Sequence, residues 1–600
     1  GPLSLTVSGP APTAGTISFE IGEFDAVCPP ACGTYGFDAG TEITLEANEQ
    51  LGDFRGWSGD AASPCGTSSS CSYRPRTDQN ITADFVARLV VTSSSSLGAV
   101  TSAPAGIACP GDCQAEFLFG TTVTLAAVPS NSFLQGWGGA CAGDPDPVCS
   151  VVMDEYRTAV AWFSRVRIDL YGTSADEWAE AIAADPLVTG GYVLAGSVTD
   201  SLVLGSALVP HTSGQELFVA RFGADRRVTW LETIGGGGDL RPHALAVSDQ
   251  DGVLACYVGG SFEGDAEFDG ANAENPTGDV NGFVSKHLDE PVPVSAPEWW
   301  ETFTGNGADN GSRVADLAFQ DGRVALTGLI AGQVTLDGTT LGSGAQDNRK
   351  HAVDAVFSSA GVMAFAVQHG KATASHAESA AILFTPGGAT LGAGFRDDVI
   401  DDGGPCTSAT NPTTETDAWF YQLSADASTC LPSTLTLLRP TGENRWSALA
   451  GGPAGAFLAA GFTRTLETSV TVSEYSAAGT VLWTRDYPAS APPGPFAAAY
   501  DASSDQWVLA GSFEGNLVVG GVTHTAVAGR DIIVFRLDQS GDVVSEALVL
   551  GGSGDDVVGG PLIPGTGEFF ELQSGHAASA LAVLDDGTAL IAGWTDSPAI

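Results

Sequence analysis

The side chains best able to do chemistry are thiols. Cys28 and Cys32, then Cys65 and Cys71, are followed by Cys109 and Cys113, then Cys141 and Cys149. Two sets of four at one repeat period can either oxidise in pairs or hold zinc. Structural zinc sites favour tighter C-x2-C knuckles, whereas Cys28 and Cys32 are separated by three residues and their partners follow a "GWSG" strand rather than a second knuckle. Disulfides are therefore expected, and with them an oxidising compartment. Four cysteines allow three pairings. Spacing favours the local ones, Cys28 with Cys32, Cys65 with Cys71, Cys109 with Cys113 and Cys141 with Cys149. Cys406 and Cys430 are expected as a further pair, leaving Cys256 as a buried thiol.

Other chemistries find less support. The histidines at 211, 243, 287, 351, 369, 376, 524 and 576 show no H-E-x-x-H, no H-x-H and no i, i+4 pair, so no catalytic transition metal is expected. Calcium would need clustered oxygens. Asp397, Asp398, Asp401 and Asp402, and separately Asp555 and Asp556, offer them without the EF-hand loop spacing, so no metal ligand and no cofactor is assigned. "GWSGD" (56–60) imitates a nucleophile elbow, but its twin reads "GWGGA", with glycine in place of Ser58. "IGGGGD" (234–239) has no Lys-Ser/Thr after it and reads as a turn. No catalytic residue is assigned. Paired carboxylates of the glycosidase kind remain open in so acidic a chain. Trp57 and Trp137 could stack sugars, but minimal β-domains need such rings as core.

These residues sit in two families of repeats. In the first, "VCPPACGTYGFDAGTEITLEA" (27–47) aligns with "ACPGDCQAEFLFGTTVTLAA" (108–127), and "CSYRPRTDQNITADF" (71–85) with "CSVVMDEYRTAVAWF" (149–163). Apolar and polar residues alternate, as at Ile43 and Leu45 or Val123 and Leu125, which is the period of half-buried strands. Two small β-domains in tandem are expected, at 1–86 and 87–164. The strand "G-T-x-[VI]-T-L", the "F-x-G-W-x-G" element, the cysteine pairs and the closing "[TA]-A-x-F" resemble the bacterial extracellular repeat related to the internalin B-repeat, over about residues 3–163. That resemblance implies a secreted or cell-surface spacer without catalytic activity.

From about 165 to 600 an apolar strand ending in glycine recurs: "YVLAGSV" (192–198), "YVGGSF" (257–262), "VALTGLI" (324–330), "TLGAGF" (390–395), "FLAAGFT" (457–463), "WVLAGSF" (507–513) and "ALIAGWT" (589–595). An alanine-rich strand precedes each, a "[DE]-x-[FWI]-[VF]" strand follows most, and the last strand often carries Trp. Four strands a, b, c and d make one blade, and the copies predict a closed β-propeller, seven-bladed with six as the alternative. The C-terminus supplies only a and b of the seventh blade, so "RVRIDLYG" (165–172) is expected to complete it and cover an edge. The pattern resembles the bacterial β-propeller repeat of secreted proteins. The a-to-b turns are terse. Long connections at 396–416 and 551–577 fall on the opposite face, where binding is expected.

Composition bounds the partners. Asp and Glu number 71 against 24 Lys plus Arg, a formal charge of −47, which disfavours nucleic acid and anionic membrane surfaces. No run of 18 apolar residues predicts a transmembrane helix. The opening "GPLSLTVSG" lacks a basic n-region and apolar core, so any export signal is expected to be gone already. The expectation is an all-β, exported, extracellular or cell-surface protein that binds or adheres to an unidentified protein or glycan, with self-association as a further option. A polysaccharide hydrolase or lyase and a filament subunit are the alternatives. The discriminator is whether carboxylates or small residues line the ring's centre.

Overall fold

The computed structural model describes the chain apart from residues 1, 10–12, 94–97, 131, 145, 165–168, 170, 172–176, 206, 236–237, 269–270, 274–279, 290–296, 306–310, 343–349, 370–376, 397–416, 426–435, 438–442, 465–466, 545–546, 560–578 and 596–600. The described chain is all-β apart from a single helical turn at Ala62–Cys65 and a 3-10 turn at Pro453–Gly455. It divides into two units, Gly1–Leu170 and Tyr171–Ile600.

In the first unit the alternation of apolar and polar residues becomes alternation of burial, as in Gly15–Ile21 and along Gln79–Ser93. The latter strand crosses the boundary expected at 86/87 and serves both repeats. Its first half pairs parallel with Leu3–Ser8 and antiparallel with Asp53–Gly59. Its second half pairs antiparallel with Gln114–Leu118 and parallel with Arg157–Ser164. The closing strand of one repeat thus continues as the opening strand of the next. Each repeat adds a four-stranded sheet, one containing Gly15–Ile21 and Ile43–Glu49, the other Gly98–Ala103 and Thr122–Pro129.

The second unit consists of successive antiparallel sheets with strands in chain order. The first three run Glu177–Ala184, Tyr192–Val198, Glu216–Phe222, Val228–Ile234; Asp239–Gln250, Val253–Glu263, Val280–Leu288, Trp299–Thr302; and Ser312–Gln320, Arg323–Ala331, Lys350–Ser358, Met363–His369. The fourth begins with Ala377–Phe384, the fifth with Glu443–Gly451 and the sixth with Phe496–Asp501. Terse a-to-b turns follow from Asp-Gly pairs in the left-handed region, Asp251 and Gly252 at φ 53° and 87°, Asp321 and Gly322 at 50° and 73°. The connections between b and c fold into hairpins, such as Leu202–Leu204 with Ala207–Val209 and Gln333–Leu336 with Thr339–Gly342.

The last sheet departs from expectation. Asp556–Val558 pairs with Gly593–Thr595, and Gly559 N–H donates to the Ala592 carbonyl. Ala592 N–H in turn donates to the Ala580 carbonyl, and Leu581–Val583 pairs with Ala589–Ile591. Residues 556–558 therefore form the first half of an inner strand whose second half resumes at 580. The long segment read as a connection ahead of that strand is instead inserted within it. Ile182 N–H donates to the Ser579 carbonyl at 2.8 Å, joining the first inner strand to the last, so the sheets form a propeller-like ring. Of the strand expected at 165–172, residues 165–168, 170 and 172 lie outside the described residues.

Candidate functional site

The inner strands carry the groups with most chemical potential, because the first five bulge at one level. Pairing shifts by a residue between Ala179 and Ala181, Pro242 and Ala244, Val314 and Asp316, Ser379 and Ala381, and Trp446 and Ala448. A bulge re-aims the extra side chain. In the first two strands that residue is Glu180 and His243.

The His243 imidazole joins two sheets. Its Nδ1 lies 3.1 Å from Glu180 Oε2 and its Nε2 lies 2.8 Å from Ser261 Oγ. Ser197 donates to Glu180 Oε1, Gln215 donates to Ser197, and Arg241 donates to Gln215 while its guanidinium lies over Trp178. The order Ser–His–Glu is that of a nucleophile, a general base and its orienting carboxylate. A second set repeats it on the same seam: Glu232 Oε1 is 2.9 Å from His287 Nδ1, and His287 Nε2 is 2.8 Å from Ser285 Oγ. This copy is sealed, with Ser285 and His287 at 0% exposure, while Ser261 shows 4%. Between the third and fourth sheets Asp354 accepts hydrogen bonds from Thr327 and Tyr421 and meets His369 Nε2 at 3.0 Å. Burial, and then the Asp354 charge, push the Tyr421 hydroxyl well above its ordinary range. In each case a buried carboxylate is satisfied by groups that tie one sheet to its neighbour or to itself.

One carboxylate stands at the centre. The residue after the bulge is Ala181, Ala244, Ala381 and Ala448, with Ala580 at the matching place in the last strand, all at 0% exposure. In the third strand it is Asp316. Ser579 donates to Asp316 Oδ1 at 2.8 Å, and Ile382 N–H donates to Oδ2 at 2.9 Å. Burial pushes this carboxyl up to about 6, against the lowering effect of those hydrogen bonds. Asp316 thereby binds the third inner strand to the fourth and to the last.

The sequence motifs resolve into structure. Glu216, the first residue of a "[DE]-x-[FWI]-[VF]" strand, accepts Thr212 N–H at 2.8 Å, and Asp531 accepts Val527 N–H at 3.0 Å, so the acidic residue caps the preceding turn. Tryptophans of the outer strands clasp the next sheet. Trp299 Nε1 donates to Ser359 O and Trp483 Nε1 to Gln539 O, with the rings over Gly361 and Gly541. Trp57 and Trp137 are core, at 4% and 3% exposure, donating to Ser68 O and Asp146 O. Ser58 donates to Asp84 and to the Thr82 carbonyl rather than meeting a base.

The expected disulfides Cys28–Cys32, Cys65–Cys71, Cys109–Cys113 and Cys141–Cys149 are present. Cys256 is a buried free thiol pushed up by burial, while Cys406 and Cys430 lie outside the described residues. So do Asp397, Asp398, Asp401 and Asp402. Asp555 accepts Arg530 N–H and Asp556 accepts Gly552 N–H. Among the described residues no group of three or more His, Cys, Asp or Glu could hold a metal. A small cavity of about 130 Å³ lies between the fourth and fifth sheets on the short-turn face, bounded by Thr385, Pro386, Gly452, Gly455 and Ala477. That is below the size of usual small-molecule sites.

Sequence reading missed the buried relays. Glu180 and His243, Glu232 and His287, and Asp354 and Tyr421 stand 63, 55 and 67 residues apart, about one repeat. Aligning the blades and comparing each polar residue with its counterpart one period on was the signal available.

No family model matches this chain, and no curated protein matches it. Among solved structures it is similar to a protein of unknown function from Dyadobacter fermentans, 12% identical with a TM-score of 0.32 over 60% of this chain and 98% of that one. It is also similar to an ulvan lyase, 12% identical with a TM-score of 0.36 over 64% of this chain and 88% of that one. The NanB sialidase of Streptococcus pneumoniae is 8% identical with a TM-score of 0.29, over 91% and 89%. Likenesses at this level carry no argument about activity.

Proposed function

We propose that the chain is an exported, non-enzymatic binding or adhesion protein, in which two disulfide-stapled repeats form a stalk and a seven-bladed β-propeller presents its ligand-binding face on long connections. The observation that carries this reading is the make-up of the inner strands, where one matching position holds a fully buried alanine at Ala181, Ala244, Ala381, Ala448 and Ala580 and the carboxylate at that position, Asp316, is engaged by Ser579 and Ile382. A glycosidase needs two carboxylates facing one bond. Here Glu180, Glu232 and Asp354 are spent on sheet seams. Seven copies of the apolar strand ending in glycine support seven blades, and the bond from Ile182 N–H to the Ser579 carbonyl supports closure of the ring. Export is supported by the disulfides; among the described residues no helix is long and apolar enough to cross a membrane. The partner is an extracellular protein or glycan, and the −47 charge disfavours nucleic acid. Screening the purified chain on glycan and protein arrays, with and without calcium, tests this: selective binding without turnover is expected, and turnover of a polysaccharide overturns it.

A second reading, a hydrolase, is favoured by Ser261, His243 and Glu180 alone. A fluorophosphonate probe decides it, since labelling at Ser261 that vanishes in Ser261→Ala requires an accessible nucleophile.

A further inference from the structure

The twin repeats share one backbone plan and differ on their outward faces. Their closing strands align as "CSYRPRTDQNITADF" (71–85) and "CSVVMDEYRTAVAWF" (149–163), and each pairs with a "G-W" strand that bulges at the same place, between Phe54 and Gly56 or between Leu134 and Gly136. Odd-numbered residues enter the cores: Ile81, Ala83 and Phe85 in the first copy and Ala159, Ala161 and Phe163 in the second are all buried. The even-numbered ones therefore face out. In the first copy that row reads Asp78, Asn80, Thr82, Asp84, and its acids are engaged: Asp78 accepts Ser4 N–H at 2.8 Å, and Asp84 accepts the Ser58 hydroxyl at 3.0 Å. In the second copy the row reads Tyr156, Thr158, Val160, Trp162.

Two replacements act together there. Where the first copy has Ser58 and Asp84, the second has Gly138 and Trp162, and a Cβ at Gly138 would stand 2.7 Å from the indole. The glycine lets the ring lie against the sheet on one side and leaves the other open, with Trp162 at 54% exposure and Tyr156 at 57%. Core packing does not account for these rings, since Trp137 already fills that role in the second repeat. The six residues from one ring to the other span about 20 Å of chain. Beside the row stand exposed Thr92, opposite Val160, and exposed Gln114, opposite the Val90 that faces Thr158. No residue of the row is charged, in a chain of net charge −47.

We propose that this row binds an uncharged glycan chain, laid along the strand with sugar rings on Trp162 and Tyr156. A pyranose offers what the row accepts: an apolar C–H face for a flat aromatic ring, and hydroxyls for Thr158, Thr92 and Gln114, with no charge that needs a counter-ion. Tryptophan and tyrosine give large, rigid contact area at little cost in conformational entropy. The spacing of the two rings calls for several sugar units rather than one. The site goes beyond the adhesion reading, because it lies on the second repeat and not on the propeller's connections, and it stands whether or not that face binds a ligand.

Affinity electrophoresis of the full chain, through gels holding mixed-linkage β-glucan, glucomannan or xyloglucan, with polygalacturonate as the charged control, reads this directly. At least one of the three neutral polymers is expected to retard the chain, and polygalacturonate is not. Trp162→Ala should weaken that retardation about tenfold or more, Tyr156→Ala should weaken it less, and Trp162→Phe should keep most of it. The pair Gly138→Ser with Trp162→Asp rebuilds the hydrogen-bonded couple of the first repeat, so it should keep the parent's thermal unfolding and lose the glycan. The proposal is overturned if none of the three neutral polymers retards the chain, or if retardation survives Trp162→Ala, which would put glycan binding elsewhere on the molecule. It is overturned as well if Trp162→Ala changes the sedimentation of the chain and not its retardation, which would make the row a contact between copies. Failure of N-bromosuccinimide to oxidise Trp162 in the free chain also sinks it, because the ring is then covered already.

Discussion

The N-terminal repeats and the ring face one problem, sheets too small to stand alone, and hold together by different bonds. In the repeats, each core is a short roll of apolar side chains closed by two disulfides, and the pair is joined through one continuous strand, Gln79–Ser93. In the ring no disulfide occurs among the described residues, and neighbouring sheets are tied by buried polar clusters and by tryptophans laid on glycines. Covalent staples act largely through the unfolded chain and tolerate local disorder. Buried polar ties act only in the folded state and fail sharply when one partner is removed, because the others are left unpaired. The repeats should therefore resist deletion of single side chains and the ring should not.

Asp354→Ala is the strongest way to break that contrast. It leaves Thr327, His369 and Tyr421 without their common acceptor in a site at 0% exposure. The loss should be about 3–5 kcal/mol, read by urea unfolding followed at ring tryptophans, with the repeat unit's transition unmoved. A loss below about 1 kcal/mol would show that the cluster is ornamental. In the other direction, replacing Cys141 and Cys149 together by serine should cost about 2–3 kcal/mol, the entropy of an eight-residue loop. That change belongs to the repeat unit alone, and an equal shift in the ring would erase the distinction.

The tryptophan clasps sharpen it further. Gly541 has φ +78°, and a Cβ there would meet the Trp483 ring at 2.7 Å. Gly541→Ala should cost about 2 kcal/mol, from left-handed backbone and overpacking together. Thermal unfolding checks it, and Gly520→Ala, with φ +59° but nearer contacts no closer than 3.4 Å, serves as a control for backbone strain alone.

How much of this was legible follows from the same contrast. In the repeats, partners lie close in sequence: Cys65 and Cys71 are six residues apart, and the alternation around Ile43 and Leu45 marks the buried face directly. Only the sharing of Gln79–Ser93 was hidden, because a strand with apolar residues on both sides of residue 86 gives no break to read. In the ring, the b strands were legible as apolar runs, and the four-strand order with them. The ties were not, since His243 and Glu180 meet only when two sheets stack. Nor was the interrupted last inner strand, where "DDVVGG" reads as a turn until Gly593–Thr595 is placed beside it. The carboxylates at 216 and 531 were visible as a motif, but their role as turn caps needed the backbone N–H groups of Thr212 and Val527.

The smallest expected effect is the one of opposite sign. Asp316 is buried, and its folded value of about 6 exceeds the 3.8 of an ordinary aspartate. A raised carboxyl binds its proton more tightly in the folded state, so its contribution to stability is fully present below about pH 4, declines as pH rises through 6, and is flat above. Asp316→Asn keeps the shape without the charge: the amide oxygen can accept from Ile382 N–H and the amide nitrogen can donate to Ser579 Oγ. The variant should match the parent near pH 4 and exceed it at pH 7 by about 1 kcal/mol, once weaker amide hydrogen bonds are set against the removed charge. Denaturant midpoints measured from pH 4 to 8 decide the matter. If the gap is constant across that range, Asp316 does not titrate there. If the variant is the less stable at pH 7, the ionised carboxylate is itself a tie, and the ring uses charge at its centre as it uses neutral hydrogen bonds at its seams.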